Sequence, residues 1–446
     1  MIIDGSTLEG GGQILRNCVA FAAILNIPLH ITNIRGNRAK PGLQRQHLAG
    51  LKLAVELCNA RATGLERDST QVTIVPGSEI KHGQFTADVE SAGACTLLAQ
   101  ISLPIALFGS GSSTFVLKGG TNVPFSPPFE YLKRVFLPAL ARFGIPEGAV
   151  EVCEERQGFM PGGGGEVRVR IEPLTRPLVG ACLDERGDVT KCTAYVSGAC
   201  TAAFEAEVAK EIQDCRKLAV AMESEFRVRR VDRESKCQMQ VVLVAETSNG
   251  HRIGASALTG GKRSSGKGLV AAAVVKMVKQ LEGEVCVDEY LQDQVVIFMA
   301  LARGRSKMKC GEITLHTRTA IHFASLLSRA VFEIQELGGG TNIIMYDERN
   351  VPMGYGLVTF SSERGMRKAI EKMNGKPLPD TGPERHPLDV FEAKPGRDSW
   401  SWDMRECGRC GLPGHSKRDC NTIPPTDPKH VFAGELESDP FNPEVS

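Results

Sequence analysis

Apolar positions along the first 173 residues switch between two periods. Alternation of period two runs over 1–4, 28–34, 61–65 and 71–75, and helical spacing over 13–25 and 42–58. The order is strand, helix, strand, helix, then two strands that read as a hairpin. It returns over 84–89, 93–108, 113–117, 129–143, 149–154 and 166–171. A third round is expected to finish with a helix over 289–302, a short strand at Ile313 and Leu315, a further helix, and a hairpin pairing 332–335 with 342–346. This alternation predicts an α/β protein with helices layered on sheets. Repeats of roughly 75–90 residues predict duplicated βαβαββ modules rather than a solenoid.

Between 183 and 283 the rhythm changes to a strand (191–198), a helix (203–222), two strands (241–245, 253–258) and a helix (269–281). This fits a smaller α/β domain inserted into the third module. The expected division is therefore 1–182 and 284–346 for the core, with 183–283 as the insertion. A strand-and-helix segment over 347–395, a cysteine-rich segment over 396–425 and a disordered tail over 426–446 follow.

Composition narrows the picture. A chain of 446 residues has room for several domains and a large core. Its formal net charge of +1 gives no global basic field, so polyanion binding must come from local patches. No apolar run is long enough to span a bilayer, and Met-Ile-Ile-Asp-Gly lacks a basic start and an apolar signal core. A soluble intracellular protein with no membrane partner is expected. Of fourteen cysteines only Cys407, Cys410 and Cys420 cluster, which fits reduced thiols and one metal site better than a disulfide framework.

Candidate chemistry concentrates in EITLHTRTAIHFASLLSR, Glu312 to Arg329. Phe323, Leu326, Leu327 and Ala330 recur at helical spacing and predict a buried stripe. Thr319 suits an N-cap, which would put His322 in the first turn. Free backbone amides there favour a neutral imidazole and attract an anion, the setting for a nucleophile at phosphorus. A satisfied, partly buried histidine would look the same. LEGGGQILR sets glycines between strand and helix beside Glu9 and Arg16, without either familiar phosphate-loop spacing. NIRGNRAKPGLQRQHL gathers Arg35, Arg38, Lys40, Arg45, Gln46 and His47, suited to phosphate or to solvent. RQGFMPGGGGEV is a glycine-rich turn between strands. EYLQDQ sets Tyr290, Asp293 and Gln294 on one helix face, an arrangement able to stack and edge-bond a base.

Together, EGGGQILR, IRGNRAKPGLQRQHL, SAGACTLLAQ, KGGTNVPFSPP, the glycine turn, VDEYLQDQ and HTRTAIHFA resemble the RNA 3'-terminal phosphate cyclase family, in order along 1–346. The resemblance implies three βαβαββ modules with a domain inserted in the third. It also implies ATP-dependent conversion of an RNA 3'-phosphate to a 2',3'-cyclic phosphate through a histidine–AMP and an RNA-adenylate anhydride. His322 within TAIHFA, rather than His316, is taken as the matching nucleophile. Gln100, Pro127, Tyr290, Asp293 and Gln294 would hold the nucleotide. Glu9, Arg16, Arg35, Arg38 and Gln46 would line the site, and Mg²⁺ or Mn²⁺ would accompany ATP. Gly162 departs from the family, which often has a basic residue before the glycine run. A nonenzymatic branch of the family, working in ribosome assembly, gives the alternative of a cyclase-like RNA-binding factor. A third reading is an RNA-processing adaptor.

Beyond 346, MGYGLVTF and SSERGMRKAIEKMNGKPL resemble the second half of an RNA-recognition motif, with Tyr355 and Phe360 at its base-stacking places. The usual basic first residue is Met353, and the preceding strand and helix are not found. CGRCGLPGHSKRDC resembles a CCHC zinc knuckle: Cys407, Cys410, His415 and Cys420 would complete a structural Zn²⁺ shell. Arg409, Lys417 and Arg418 beside it suit single-stranded RNA. Nuclear residence, with the cytoplasm as the alternative, is an expectation from the family and the tail.

Overall fold

In the computed structural model the described residues are 1–198, 202–215, 238–259, 266–328 and 330–347. The recognition-motif residues Tyr355 and Phe360 and the knuckle residues Cys407, Cys410, His415 and Cys420 lie outside them. Strand β1 (Ile2–Asp4) buries Ile3 between exposed neighbours and leads through a glycine turn into α1 (Gly12–Leu25). Strand β2 (Leu29–Thr32) buries Leu29 and Ile31 and half-exposes His30 and Thr32, so its period-two pattern is realised. Helix α2 (Arg45–Leu57) opens on a capping box in which the Gln44 N–H donates to His47 Nδ1 at 3.2 Å. Strands β3 (Arg61–Thr63) and β4 (Val72–Val75) close a sheet of order β1-β2-β4-β3.

The next round comprises β5 (Gly83–Asp88), α3 (Cys95–Leu107) and β6 (Ser113–Gly119), followed by an irregular helical stretch. That stretch runs from α4 (Phe129–Tyr131) through a π turn (Leu132–Phe136) to α5 (Leu137–Leu140) and a 3-10 turn (Ala141–Phe143). Strands β7 (Val150–Arg156) and β8 (Gly165–Ile171) complete a sheet of order β5-β6-β8-β7.

Strand β9 (Cys182–Leu183) comes next, and the chain then leaves the core. Strands β10 (Val189–Gly198), β11 (Met239–Thr247) and β12 (Arg252–Leu258) form an antiparallel sheet. Helices α6 (Ala202–Asp214) and α7 (Gly266–Glu282) cover it through Val208, Ile212, Val270 and Met277. Tyr195, Val242 and Val244 instead join the main core.

Back in the core, α8 (Leu291–Leu301), β13 (Ser306–Cys310), α9 (Leu315–Ser328), β14 (Val331–Gly338) and β15 (Thr341–Asp347) complete a sheet of order β14-β15-β13-β9. In all three four-stranded sheets the first two strands in sequence pair in parallel, and the other pairings are antiparallel. One hydrophobic core runs through them from Ile3 to Tyr346.

Three expectations need correction. The short strand at Ile313 and Leu315 is absent; the strand of that round is β13, whose Ser306, Met308 and Cys310 alternate inward between half-exposed lysines. Thr319 is not an N-cap: α9 starts at Leu315, and the Thr314 hydroxyl accepts the Thr317 N–H at 3.1 Å. Leu326, expected in the buried stripe, is 44% exposed.

Candidate active site

The glycine turn ahead of α1 brings two side chains onto its own backbone. A Cβ on Gly11 would collide with the Glu9 carboxylate, and one on Gly12 with the His47 ring. Gly10 adopts φ +59°, as a left-handed turn requires. The run thus serves close approach within the protein. Gly12→Ala should push His47 off its capping position and destabilise the protein by about 1–3 kcal/mol, read as a lowered urea midpoint.

Glu9 is anchored from three sides. Its N–H donates to Thr319 Oγ1 at 3.2 Å, its carbonyl accepts from Arg38 at 2.8 Å, and its carboxylate pairs with the Arg38 guanidinium. Glu9 Oε2 is buried and has no hydrogen-bond partner among the described residues. Arg35 and Gln46, also expected to face phosphate, are used in holding the frame. Arg35, at φ +55°, donates to the carbonyls of Lys40 (2.5 Å) and Gly42 (3.3 Å). Gln46 Oε1 accepts the Ala94 N–H at 3.1 Å and ties α2 to the start of α3. His47 stays neutral: burial foremost, then Arg35 and Arg16, push its pKa down to about 3.

The histidine that reaches this cluster is His316. As the second residue of α9 it lies in the first helical turn, where the N-terminal dipole acts. Its Nδ1 lies 3.0 Å from Gln13 Oε1, and Gln13 Nε2 donates to Asp293 Oδ2 at 2.6 Å. An ionised Asp293 accepts only, so it orients the Gln13 amide; Gln13 Oε1 must then receive a proton from Nδ1. The His316 ring is thereby held as the Nδ1–H tautomer with a lone pair on Nε2. The ring is exposed on one side, and desolvation of the side turned into the protein, with Arg16 and Arg38 acting the same way against Glu9, lowers its pKa below the ordinary value.

His322 sits elsewhere. It falls with Leu315, Arg318 and Leu326 on the exposed stripe of α9, and its ring packs edge-on against Phe323 at 4.9 Å. Residues Thr319, Ala320, Phe323 and Ala324 face inward, toward the neighbouring helices α1 and α8.

Tyr290, Asp293 and Gln294 do not share one open face. Asp293 turns to Gln13, and burial pushes its pKa up to about 7 while Arg16 pulls the other way. Tyr290 meets Tyr131 edge-on at 5.4 Å. Lys276 from the inserted domain stands over the Tyr290 ring at 5.6 Å and donates to its hydroxyl at 3.3 Å. Gln294 Nε2 donates back to the Tyr290 carbonyl at 2.6 Å. Gln100 lies half-buried on α3, and the Pro127 carbonyl accepts the Thr96 hydroxyl at 2.8 Å. The next residues of α3, Leu97, Leu98 and Ile101, line a cavity with Gly12, Arg16 and His47.

Sequence reading passed over Asp288, which locks this region. Its buried carboxylate accepts from the Tyr131 hydroxyl (2.6 Å) and from the N–H groups of Gly254 (2.7 Å), Tyr290 (3.0 Å) and Leu291 (3.0 Å). It caps α8 and seats the inserted domain at once. Asp288→Ala would strand three buried donors and the half-buried Tyr290 N–H, so a loss on the order of 3 kcal/mol in urea unfolding is expected, with Asp288→Asn milder. Among the described residues no helix is long and apolar enough to cross a membrane, and no cluster of three metal-ligating side chains occurs.

Comparison with known proteins bears on the whole arrangement. The family model for RNA 3'-terminal phosphate cyclase matches residues 7–334, and that for the RNA recognition motif matches 336–381. The second match starts inside the β14–β15 hairpin, earlier than the 347 expected, although β15 pairs with β13 in the core sheet. A Dictyostelium discoideum protein named "Probable RNA 3'-terminal phosphate cyclase" is 36% identical, over 81% of this chain and 84% of its own. The RNA 3'-terminal phosphate cyclase of Drosophila melanogaster is 34% identical over 77% and 94%, and that of Pyrobaculum aerophilum 35% over 76% and 95%.

Proposed function

The chain belongs to the RNA 3'-terminal phosphate cyclase family and is an enzyme of that kind, and from that premise we propose that it uses ATP and His316 to turn an RNA 3'-terminal phosphate into a 2',3'-cyclic phosphate. The observation carrying this reading is the Asp293–Gln13–His316 chain of hydrogen bonds, which leaves Nε2 unprotonated beside Glu9, Arg16 and Arg38. In the first step Nε2 bonds to the α-phosphorus of ATP and pyrophosphate leaves. An oxygen of the RNA 3'-phosphate then bonds to that phosphorus as the N–P bond breaks, which frees the ring and forms a mixed anhydride. The adjacent ribose 2'-hydroxyl closes on the RNA phosphorus, its proton is released, and AMP departs. The last step is intramolecular, where effective molarities reach ~10⁵–10⁸ M in aligned systems.

Glu9 fits a divalent cation shared with the phosphates, because its Oε2 is a buried carboxylate oxygen in want of a partner. Mg²⁺ or Mn²⁺ there would neutralise phosphate charge. The same reading takes the three sheets of one strand order as copies of one βαβαββ module. It gives single-stranded RNA and one Zn²⁺ at Cys407, Cys410, His415 and Cys420 to the tail, and it puts the protein in the nucleus. Incubation with ATP labelled at the α-phosphate tests the central claim: one acid-labile, hydroxylamine-sensitive adenylyl group per chain should be retained, and a chain that takes no label overturns it.

A further inference from the structure

The loop joining β6 to α4 carries Phe125, whose ring is wholly exposed at 102% of its reference area. Its backbone is left-handed, with φ +63°, a conformation that bulky L residues rarely adopt. A phenylalanine kept both in water and in that conformation serves no packing purpose of its own, and such residues gather where ligands bind.

The loop around it is tied down. The N–H groups of Thr121 and Asn122 donate to the Gly158 carbonyl at 2.8 and 3.0 Å, and the Gly158 N–H returns a bond to Thr121 Oγ1 at 3.0 Å. The Phe129 N–H donates to the Thr121 carbonyl at 3.1 Å, and Ser126 Oγ to the Val123 carbonyl at 3.1 Å. Val123 packs on Ala92 and Ala94, and Pro127 is held by Thr96. The aromatic face is therefore presented by a braced frame. Through Thr96 that frame rests on the first turn of α3, whose Leu97, Leu98 and Ile101 share a cavity with Gly12, Arg16 and His47.

We propose that Phe125 is a stacking platform for one unpaired nucleobase of the RNA substrate, a reading that rests on the RNA-directed activity above. The chemistry favours a base over a protein partner. Within residues 121–128 only Pro124 and Phe125 are exposed, while Val123 and Pro128 are buried, so the loop itself offers one ring and not the broad apolar patch that protein docking uses. A single flat π-face is enough to hold a base without reading its sequence.

The test uses the full chain and oligoribonucleotides ending in a 3'-phosphate, with KM for the RNA as the readout. Phe125→Ala and Phe125→Leu should each raise KM about tenfold, whereas Phe125→Trp, which keeps a π-face, should stay near wild type. Removing single bases from the last nucleotides should identify one position whose loss costs wild type as much as Phe125→Ala does and costs that variant nothing further. An unchanged KM in the alanine and leucine variants, as a protein-docking role would give, overturns the proposal. So does equal loss in all three variants. Wild-type turnover of the same RNA separately checks the reading on which the proposal rests.

Discussion

His316→Ala should take no adenylyl group from ATP and should lose cyclisation by at least ~10⁴-fold, as expected when a covalent nucleophile is removed. His322→Ala should label and turn over within about twofold of wild type. The contrast follows from α9. Both imidazoles are exposed, but His316 sits in the first turn and meets Gln13 at 3.0 Å, while His322 lies on the stripe of Arg318 and Leu326 with its ring against Phe323. Labelling both variants with α-labelled ATP at equal protein and resolving the bound AMP on a denaturing gel would decide it. A normal signal from His316→Ala, with none from His322→Ala, would reverse the assignment and leave the Gln13 contact without a catalytic purpose.

The second large effect is expected in the pH profile. Burial raises Asp293 to about 7, whereas burial lowers His316 below its ordinary 6.5. On acidification Asp293 therefore takes a proton before the imidazole does. A protonated Asp293 can donate to Gln13 Oε1, which turns the Gln13 amide and offers His316 a donor where it had an acceptor. The ring must then carry its proton on Nε2, and the nucleophilic lone pair is lost. Single-turnover self-adenylation should accordingly fall through a midpoint near 7. Asp293→Asn, which does not titrate, should move that limb down to the imidazole's own range. Its plateau should drop roughly 10–100-fold, the usual cost of losing an orienting partner. An acid limb at the same midpoint in wild type and Asp293→Asn would sink this account. Stability carries the same signature with a defined sign. Between 3.8 and about 7 the folded protein holds a proton that the unfolded chain has released. Asp293's contribution is thus full below 3.8 and is lost as pH rises through 7, and Asp293→Asn should flatten that slope in urea midpoints.

Most of the helices and strands could be read from apolar period alone, because alternating strands such as β2 and β6 each bury a face with a regular repeat. Two of the failures share one cause. Strand β13 hides its repeat behind Lys307 and Lys309, and the first turn of α9 carries Leu-His-Thr-Arg-Thr rather than an apolar stripe. Both segments bury polar groups against polar partners, a kind of burial that hydropathy does not register. Thr317 illustrates it: fully buried, it donates to Gln292 on α8 at 2.8 Å. Because α9 starts at Leu315, the first-turn setting that the sequence suggests for His322 belongs to His316.

The residue types on which the proposed chemistry draws, Glu9, Arg16, Arg38, Asp293 and a histidine before Phe323, were all visible in the chain, as was the order of the elements that carry them. Which histidine meets them was settled only by folding, since Gln13 and His316 stand 303 residues apart and touch because α1 packs on α9. Spacing along a chain reports which face of an element turns inward; it says nothing about what that face will find there.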